Sequence, residues 1–416
     1  MPTRDRRSID AASRLRIVVL GYIVRGPLGG LAWHHLQYVM GLAALGHDVY
    51  FVEDSGDSQW CCYDPVRDVT DTDPSYGLQF AATAFARVGL GDRWAYYDAH
   101  RTRWCGPAAD RGPRLCAAAN VVLNVSGVNP LRPWLAGAPV RVLLDTDPAF
   151  TQIRHLTDPD ARALAAQHNA FFSFAENIAQ ADCTVPADGL NWQPTRQPVV
   201  LDAWPVTAGP AHGKFTTVMQ WDSYPARTYG GREYGMKSAS FMPYLDLPQR
   251  VGPIFDIAIG SATAPRDLLR AHGWVVRDSR EPTRDPWTYR RYIQESAAEF
   301  GVAKHGYVAS RSGWFSERSA VYLASGRPVV TEDTGFSSWL ETGSGLLRFT
   351  ALEEATEAIV RVREDYARHC RAARAIAEQY FDAHAVLQRL IDAALASPPA
   401  AQRSGGAAAG HLSDRE

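Results

Sequence analysis

The chain has no apolar run long enough to cross a bilayer, and residues 1–13 lack the apolar core of an export signal. A cytoplasmic protein with no integral membrane segment is the expectation. No C-x-x-C pair occurs among the 6 cysteines: Cys61 and Cys62 are adjacent, while Cys105, Cys116, Cys183 and Cys370 stand alone. That spacing fits neither a zinc site nor a disulfide framework, so reduced thiols and no bound metal are expected. The formal net charge is only −2 over 416 residues, and no basic run is interleaved with aromatics. Nothing electrostatic therefore points to nucleic acid as a partner. The glycines near the start also miss the G-x-G-x-x-G spacing, which argues against a nicotinamide or flavin cofactor despite Glu53 and Asp54 further on. No cofactor is expected.

What is present is a βαβ opening. Residues 15–20 are apolar apart from Arg16, as a strand covered on both faces should be. The loop Gly26-Pro27-Leu28-Gly29-Gly30 follows, then a helix stopped by Gly46, then a strand over 49–52. Glycines at a strand-to-helix turn mark the ligand edge of a doubly wound sheet. A second informative stretch is residues 314–336. Ser316 suits a helix N-cap, Ala320, Leu323 and Ala324 share a face, and Gly326 then Pro328 stop the helix. Val329 and Val330 begin a buried strand, and Asp333-Thr334-Gly335 makes a turn. The amino end of that helix offers unpaired backbone N–H groups to an anion, and phosphate is the usual guest.

Further strands are expected at 120–125, 140–144, 216–221, 254–259, 274–276 and 307–309, with 59–113 an irregular insertion near a cleft. Residues 209–213, Gly-Pro-Ala-His-Gly, are the linker candidate, and a chain of this length exceeds one typical core. The expected layout is a disordered start over 1–13, a first Rossmann-like domain over 14–206 and a second over 214–380. The helical stretch 352–395 has a break near Phe381-Asp382, and residues 397–416, rich in Ala, Gly and Ser, are expected to be a disordered tail.

Two segments resemble the glycogen-synthase-like (group 1) glycosyltransferases of the GT-B class. The first carries Gly29, Gly30, His34 and the pair Gly46-His47; the second carries Leu323-Ala324-Ser325-Gly326-Arg327-Pro328-Val329-Val330. The likeness follows the order of elements from about residue 15 to residue 390 and is specific only at these two places. It departs from the family where two glutamates normally stand with seven residues between them; here those places hold Gly313 and Val321, with Glu317 between them. The chain therefore looks like an outlying branch. The resemblance implies an α/β fold of two Rossmann-like domains facing across a cleft, with residues 381–396 crossing back onto the first domain. It implies transfer of a sugar from a nucleotide-diphosphate donor held by the second domain to an acceptor hydroxyl held by the first.

Such chemistry needs a neutralised leaving diphosphate and a placed or deprotonated acceptor hydroxyl. The resembled family places a basic pair in the loop after the second domain's first strand, which here supplies Arg232 and Lys237. Arg311, Ser316, Arg318 and Ser319 crowd the start of the late helix, and Asp333, Thr334 and Gly335 follow the next strand, with Glu332 beside them. Any of these serves equally well as a cap or a solvated residue. Gly29 and Gly30 let backbone approach the donor. Asp147, His34 and Asp145, in that order, are the candidates for the base, with Glu176 behind them; Asp145 and Asp147 flank Thr146, so one is expected to act while the other holds the turn. Trp60, Trp94, Tyr96, Tyr97, Trp104, Trp134 and Trp192 concentrate in the first half, but none is assigned to a ligand. Two other readings share this pattern, a nucleotide-sugar epimerase and a non-catalytic nucleotide-sugar-binding partner of another glycosyltransferase.

Overall fold

Ile17, Val18, Val19 and Leu20 are all buried. They form the strand Arg16–Leu20, which pairs in parallel with Asp48–Asp54 on one side and Val121–Val125 on the other. Around it the sheet runs Trp192–Pro194, Ala170–Ser173, Val140–Asp145, Val121–Val125, Arg16–Leu20, Asp48–Asp54, Trp94–Asp98, Arg103–Cys105, and only the last strand is antiparallel. The second sheet is wholly parallel, in the order Val275–Asp278, Phe255–Ile259, Phe215–Met219, Ala298–Gly301, Val329–Glu332, Leu346–Phe349. Numbered along the chain, the parallel strands run 3-2-1-4-5-6-7 in the first sheet and 3-2-1-4-5-6 in the second, the order of a doubly wound fold, whose ligands collect at the carboxyl ends. The coordinates, a computed structural model, describe residues 14–397. The expected disordered start, and the expected tail beyond Ser397, lie outside the described residues.

Two local expectations are corrected. Residues 59–113 are not irregular: they hold a hairpin (Cys62–Asp64 with Val69–Asp71), the helix Ser75–Arg87 and the sheet strand Trp94–Asp98. Tyr307 and Val308 suggest a strand, yet they lie in the short helix His305–Ser310, which Arg311 ends in a left-handed conformation at φ 49°. The neighbouring strand is Ala298–Gly301 instead.

The helix Gly29–Ala44 packs against the last helix, Ala383–Ala396, which returns from the second sheet. Gly41 permits this approach: a Cβ there would lie 2.5 Å from Leu387 Cδ1. The helical stretch has two breaks, one at Asp365, which caps Tyr366–Tyr380, and one at Asp382, which caps the final helix. Among the described residues no helix is long and apolar enough to cross a membrane.

Candidate active site

The carboxyl edges of the two sheets face each other across a cavity of about 450 Å³. The first half contributes Tyr22, Leu28, Gly30, His34, Ser126, Thr146 and Asp147; the second contributes Gln220, Ser223, Tyr224, Lys237, Lys304, Tyr307, Trp314, Ser316, Glu317 and Arg318. Local sequence explains several of these placements. Glu53 is buried and accepts from the backbone N–H of Ile23, Val24 and Arg25 at 2.6–2.7 Å, fixing the loop that leads to Gly30. Its carboxylate is thereby occupied and cannot serve a dinucleotide ribose. Ser316 caps Glu317–Ala324 by accepting from Arg318 N at 3.2 Å, which presents Glu317 and Arg318 to the cavity on the first turn.

Several contacts tie the halves together at the cavity rim. Trp33 Nε1 donates to the Pro286 carbonyl at 2.6 Å, and Trp314 Nε1 donates to the Thr146 carbonyl at 3.2 Å. Asp147 accepts from Lys304 Nζ at 2.9 Å and from the hydroxyls of Tyr224 and Tyr307. Burial, followed by the Asp147 charge, pushes both tyrosine hydroxyls far above their ordinary pKa, so they stay protonated donors.

His34 lines the cavity, and burial lowers its pKa against a smaller opposing pull from Glu317, keeping the imidazole neutral. Lys237 also lines it. Burial first, then the charges of Arg318 and Lys304, push its pKa down to about 7, with Glu317 and Glu299 acting in the opposite sense. Arg318 is buried and paired with Glu299 at 2.5 Å, and it donates to the Val218 carbonyl at 2.8 Å.

The structure separates the other expected site residues from this cavity. Asp145 is buried below the turn, accepting from Asp147 N at 2.8 Å, Gln152 Nε2 at 3.0 Å and Ser173 Oγ at 2.7 Å, and it borders a different cavity of about 350 Å³. Gly29 meets protein rather than ligand, since a Cβ there would lie 2.4 Å from the Asp285 carbonyl oxygen. Arg232 stands on the exposed hairpin strand Arg232–Tyr234, donating to Thr184 Oγ1 and to the Ala309 carbonyl at 3.2 Å. Arg311 is exposed and pairs with Asp182 at 3.0 Å. Ser319 is buried inside the late helix. Asp333 accepts from Gly335 N at 2.8 Å and from Ser337 Oγ at 2.5 Å, closing its own turn. Thr334 donates to the Trp314 carbonyl, and the Gly335 carbonyl accepts from Asn177 Nδ2 at 2.9 Å. Glu332 turns inward and accepts from Ala303 N at 3.1 Å, while Glu176 is paired with Arg196 at 2.5 Å.

Sequence reasoning missed Lys304 and Tyr224, which stand in loop positions with no recognisable spacing, and Tyr307, which lies in the short helix His305–Ser310 rather than the expected strand; it noted Glu317 only as a residue out of register. Among the described residues no group of three or more His, Cys, Asp or Glu is placed to hold a metal ion.

No family model matches the chain, and no curated protein matches it in sequence. Solved structures do. An alpha-glucosyltransferase in complex with UDP-glucose and DNA containing an abasic site superimposes with a TM-score of 0.58 at 9% identity, covering 92% of this chain and 100% of that one. HepE of Anabaena in complex with UDP-glucose gives 0.55 at 13% identity, again covering 92% and 100%. At such identities the likeness is one of architecture, and with two doubly wound sheets facing across a cleft this chain has the GT-B fold.

Proposed function

We propose that the protein is a glycosyltransferase that moves a sugar from a nucleotide-diphosphate donor to an acceptor hydroxyl. One observation carries this reading: the cavity between the sheets sets Lys237 and the capped start of Glu317–Ala324 on one wall against His34 and Asp147 on the other. The solved neighbours hold UDP-glucose, which makes uridine diphosphate sugars the first donors to try.

In this reading residues 14–206 form the acceptor domain, 214–380 the donor domain, and 381–396 the crossing helix. Lys237 and the backbone N–H groups of Ser316 and Glu317 take the leaving diphosphate without a metal, since a positioned ammonium and a helix amino end neutralise phosphate charge. Glu317 accepts from hydroxyls of the donor. The acceptor oxygen bonds to the anomeric carbon as the bond from that carbon to the diphosphate oxygen breaks. The bonding pair leaves with the nucleoside diphosphate, and the acceptor proton passes to Asp147. His34, neutral and cavity-facing, orients the hydroxyl, and Asp145 holds the turn on which Asp147 sits. A net charge of −2 gives no support to a nucleic-acid acceptor, and the free cysteines suit the reducing cytoplasm.

The test is a thermal-shift screen of nucleoside diphosphates with and without chelator, followed by donor hydrolysis and transfer assays. Asp147→Asn should lower transfer by about a hundredfold to ten-thousandfold, the usual cost of losing a general base, with donor binding retained. A sugar isomer appearing without release of nucleotide would establish the epimerase reading instead, and binding without turnover would establish the non-catalytic one.

A further inference from the structure

The resembled family often places a basic pair in the loop after the second domain's first strand, where this chain offers Arg232 and Lys237. Arg232 lies outside the cavity, with its guanidinium bound to Thr184 and the Ala309 carbonyl. Arg318 does line the cavity, but Glu299 and the Val218 carbonyl hold it. Lys237 would then face two phosphates alone, were it not for Lys304. Lys304 follows the strand Ala298–Gly301, lines the same cavity, and is close enough to Lys237 to depress its pKa. Its Nζ donates to Asp147 Oδ1 at 2.9 Å and meets Tyr224 Oη at 2.8 Å, it lies over the Phe150 ring at 5.0 Å, and its third N–H has no hydrogen-bond acceptor among the described residues.

We propose that Lys304 replaces Arg232 as the second diphosphate-binding cation, and that it is stored on Asp147 until the donor arrives. This rests on the donor reading above. A diphosphate carries more charge than one carboxylate and offers several acceptor oxygens, so it competes for the ammonium. As Lys304 turns to the phosphate, Asp147 keeps its two tyrosine donors and gains an open lone pair facing the cavity. Donor binding thereby prepares the group that receives the acceptor proton. An acceptor entering before the donor meets an aspartate already engaged.

Calorimetric titration with UDP tests this. Lys304→Met should weaken binding tenfold or more. Asp147→Asn should tighten it, because the diphosphate no longer displaces a carboxylate, and the gain should be larger in the wild-type background than in Lys304→Met. If Lys304 merely tethers the two halves, both substitutions shift affinity in the same direction. If it stays on Asp147 throughout, the gain from Asp147→Asn is larger in Lys304→Met, where the carboxylate is bare. Either result overturns the proposal, as does unchanged affinity for Lys304→Met. A structure of the wild-type protein with UDP needs no substitution: Nζ within hydrogen-bonding distance of a phosphate oxygen supports the proposal, and Nζ remaining on Asp147 alone overturns it. Wild-type protein that binds no nucleoside diphosphate at all would remove the donor reading as well, whereas binding with an idle Lys304 removes only this inference.

Discussion

Arg318 Nε lies 2.5 Å from Glu299 Oε1, an ion pair closed inside the second half at the very edge of the cavity. The pair anchors the first turn of Glu317–Ala324 to the strand Ala298–Gly301, so Arg318 supports the site as much as it lines it. Removing one partner of a buried pair leaves an uncompensated charge and commonly costs about 3–5 kcal/mol. Arg318→Ala is therefore expected to lower the denaturation midpoint markedly, with Arg318→Lys intermediate. A midpoint unchanged in Arg318→Ala would show that the guanidinium is free for ligand.

Lys237 should make nucleotide binding depend on pH. Its pKa is about 7 in the free protein, and a bound diphosphate raises it. Binding is thus strongest below that value and weakens as pH rises through it, by up to about tenfold per pH unit until the pKa of the complex is reached. Arg318, Lys304, Glu317 and Glu299 are the charges that set this value. Titrations at pH 7, 8 and 9 should show falling affinity and proton uptake, while Lys237→Arg flattens the profile. Lys237→Ala should cost about 1.5–3 kcal/mol of binding at pH 7, the range of a charge-assisted contact.

Glu332 predicts a pH effect on stability itself. Burial pushes its pKa up from 4.5 to about 7, against backbone and side-chain donors that include Ala303 N. A raised folded-state value means the stabilising contribution is whole below the unfolded pKa and is lost as pH climbs from there to about 7. Glu332→Gln should gain on the order of 2 kcal/mol over wild type at pH 8 relative to pH 5. Melting curves at the two pH values check this, and equal differences at both would refute it. Because Ala303 precedes Lys304, the same substitution reports whether this anchor matters to the cavity wall.

Gly41→Val should push the last helix off the first, since any Cβ at this position overlaps Leu387. Leu387 is fully buried, and exposing such a side chain costs about 1.5–3 kcal/mol before strain is added. Faster proteolysis after Ala383 in the variant, compared with wild type, is the expected readout. Identical cleavage would show that the helix accommodates the change.

The sheets were legible because their strands are apolar runs stopped by Gly or Pro, as at residues 15–20 and 329–330. Ala298–Gly301 was hidden because its sequence, Ala-Glu-Phe-Gly, has a charged residue and a glycine among four, and Glu299 becomes tolerable only once Arg318 arrives. Tyr307 and Val308 carry β-forming side chains but lie in a helical turn, where Tyr307 packs against Phe150 and Trp314. The same limit applied to the site. Capping chemistry is local, so Ser316 could be read as the N-cap it is, and the glycine-rich turn pointed to Gly30 and His34, which line the cavity. Arg232 stands outside the cavity and Lys304, unnoticed in the sequence, lines it, because a hairpin's tilt and a loop's path follow from contacts remote in sequence.

The return of Ala383–Ala396 to the first helix also sets an order of assembly. A ribosome releases the whole second sheet before it releases the helix that covers Gly41. During synthesis the first half therefore has a bare apolar flank while the second half is already able to close on itself. Docking of this helix onto the amino-terminal half therefore follows synthesis of the second sheet, and a chaperone that shields this flank would act before Ala383–Ala396 emerges.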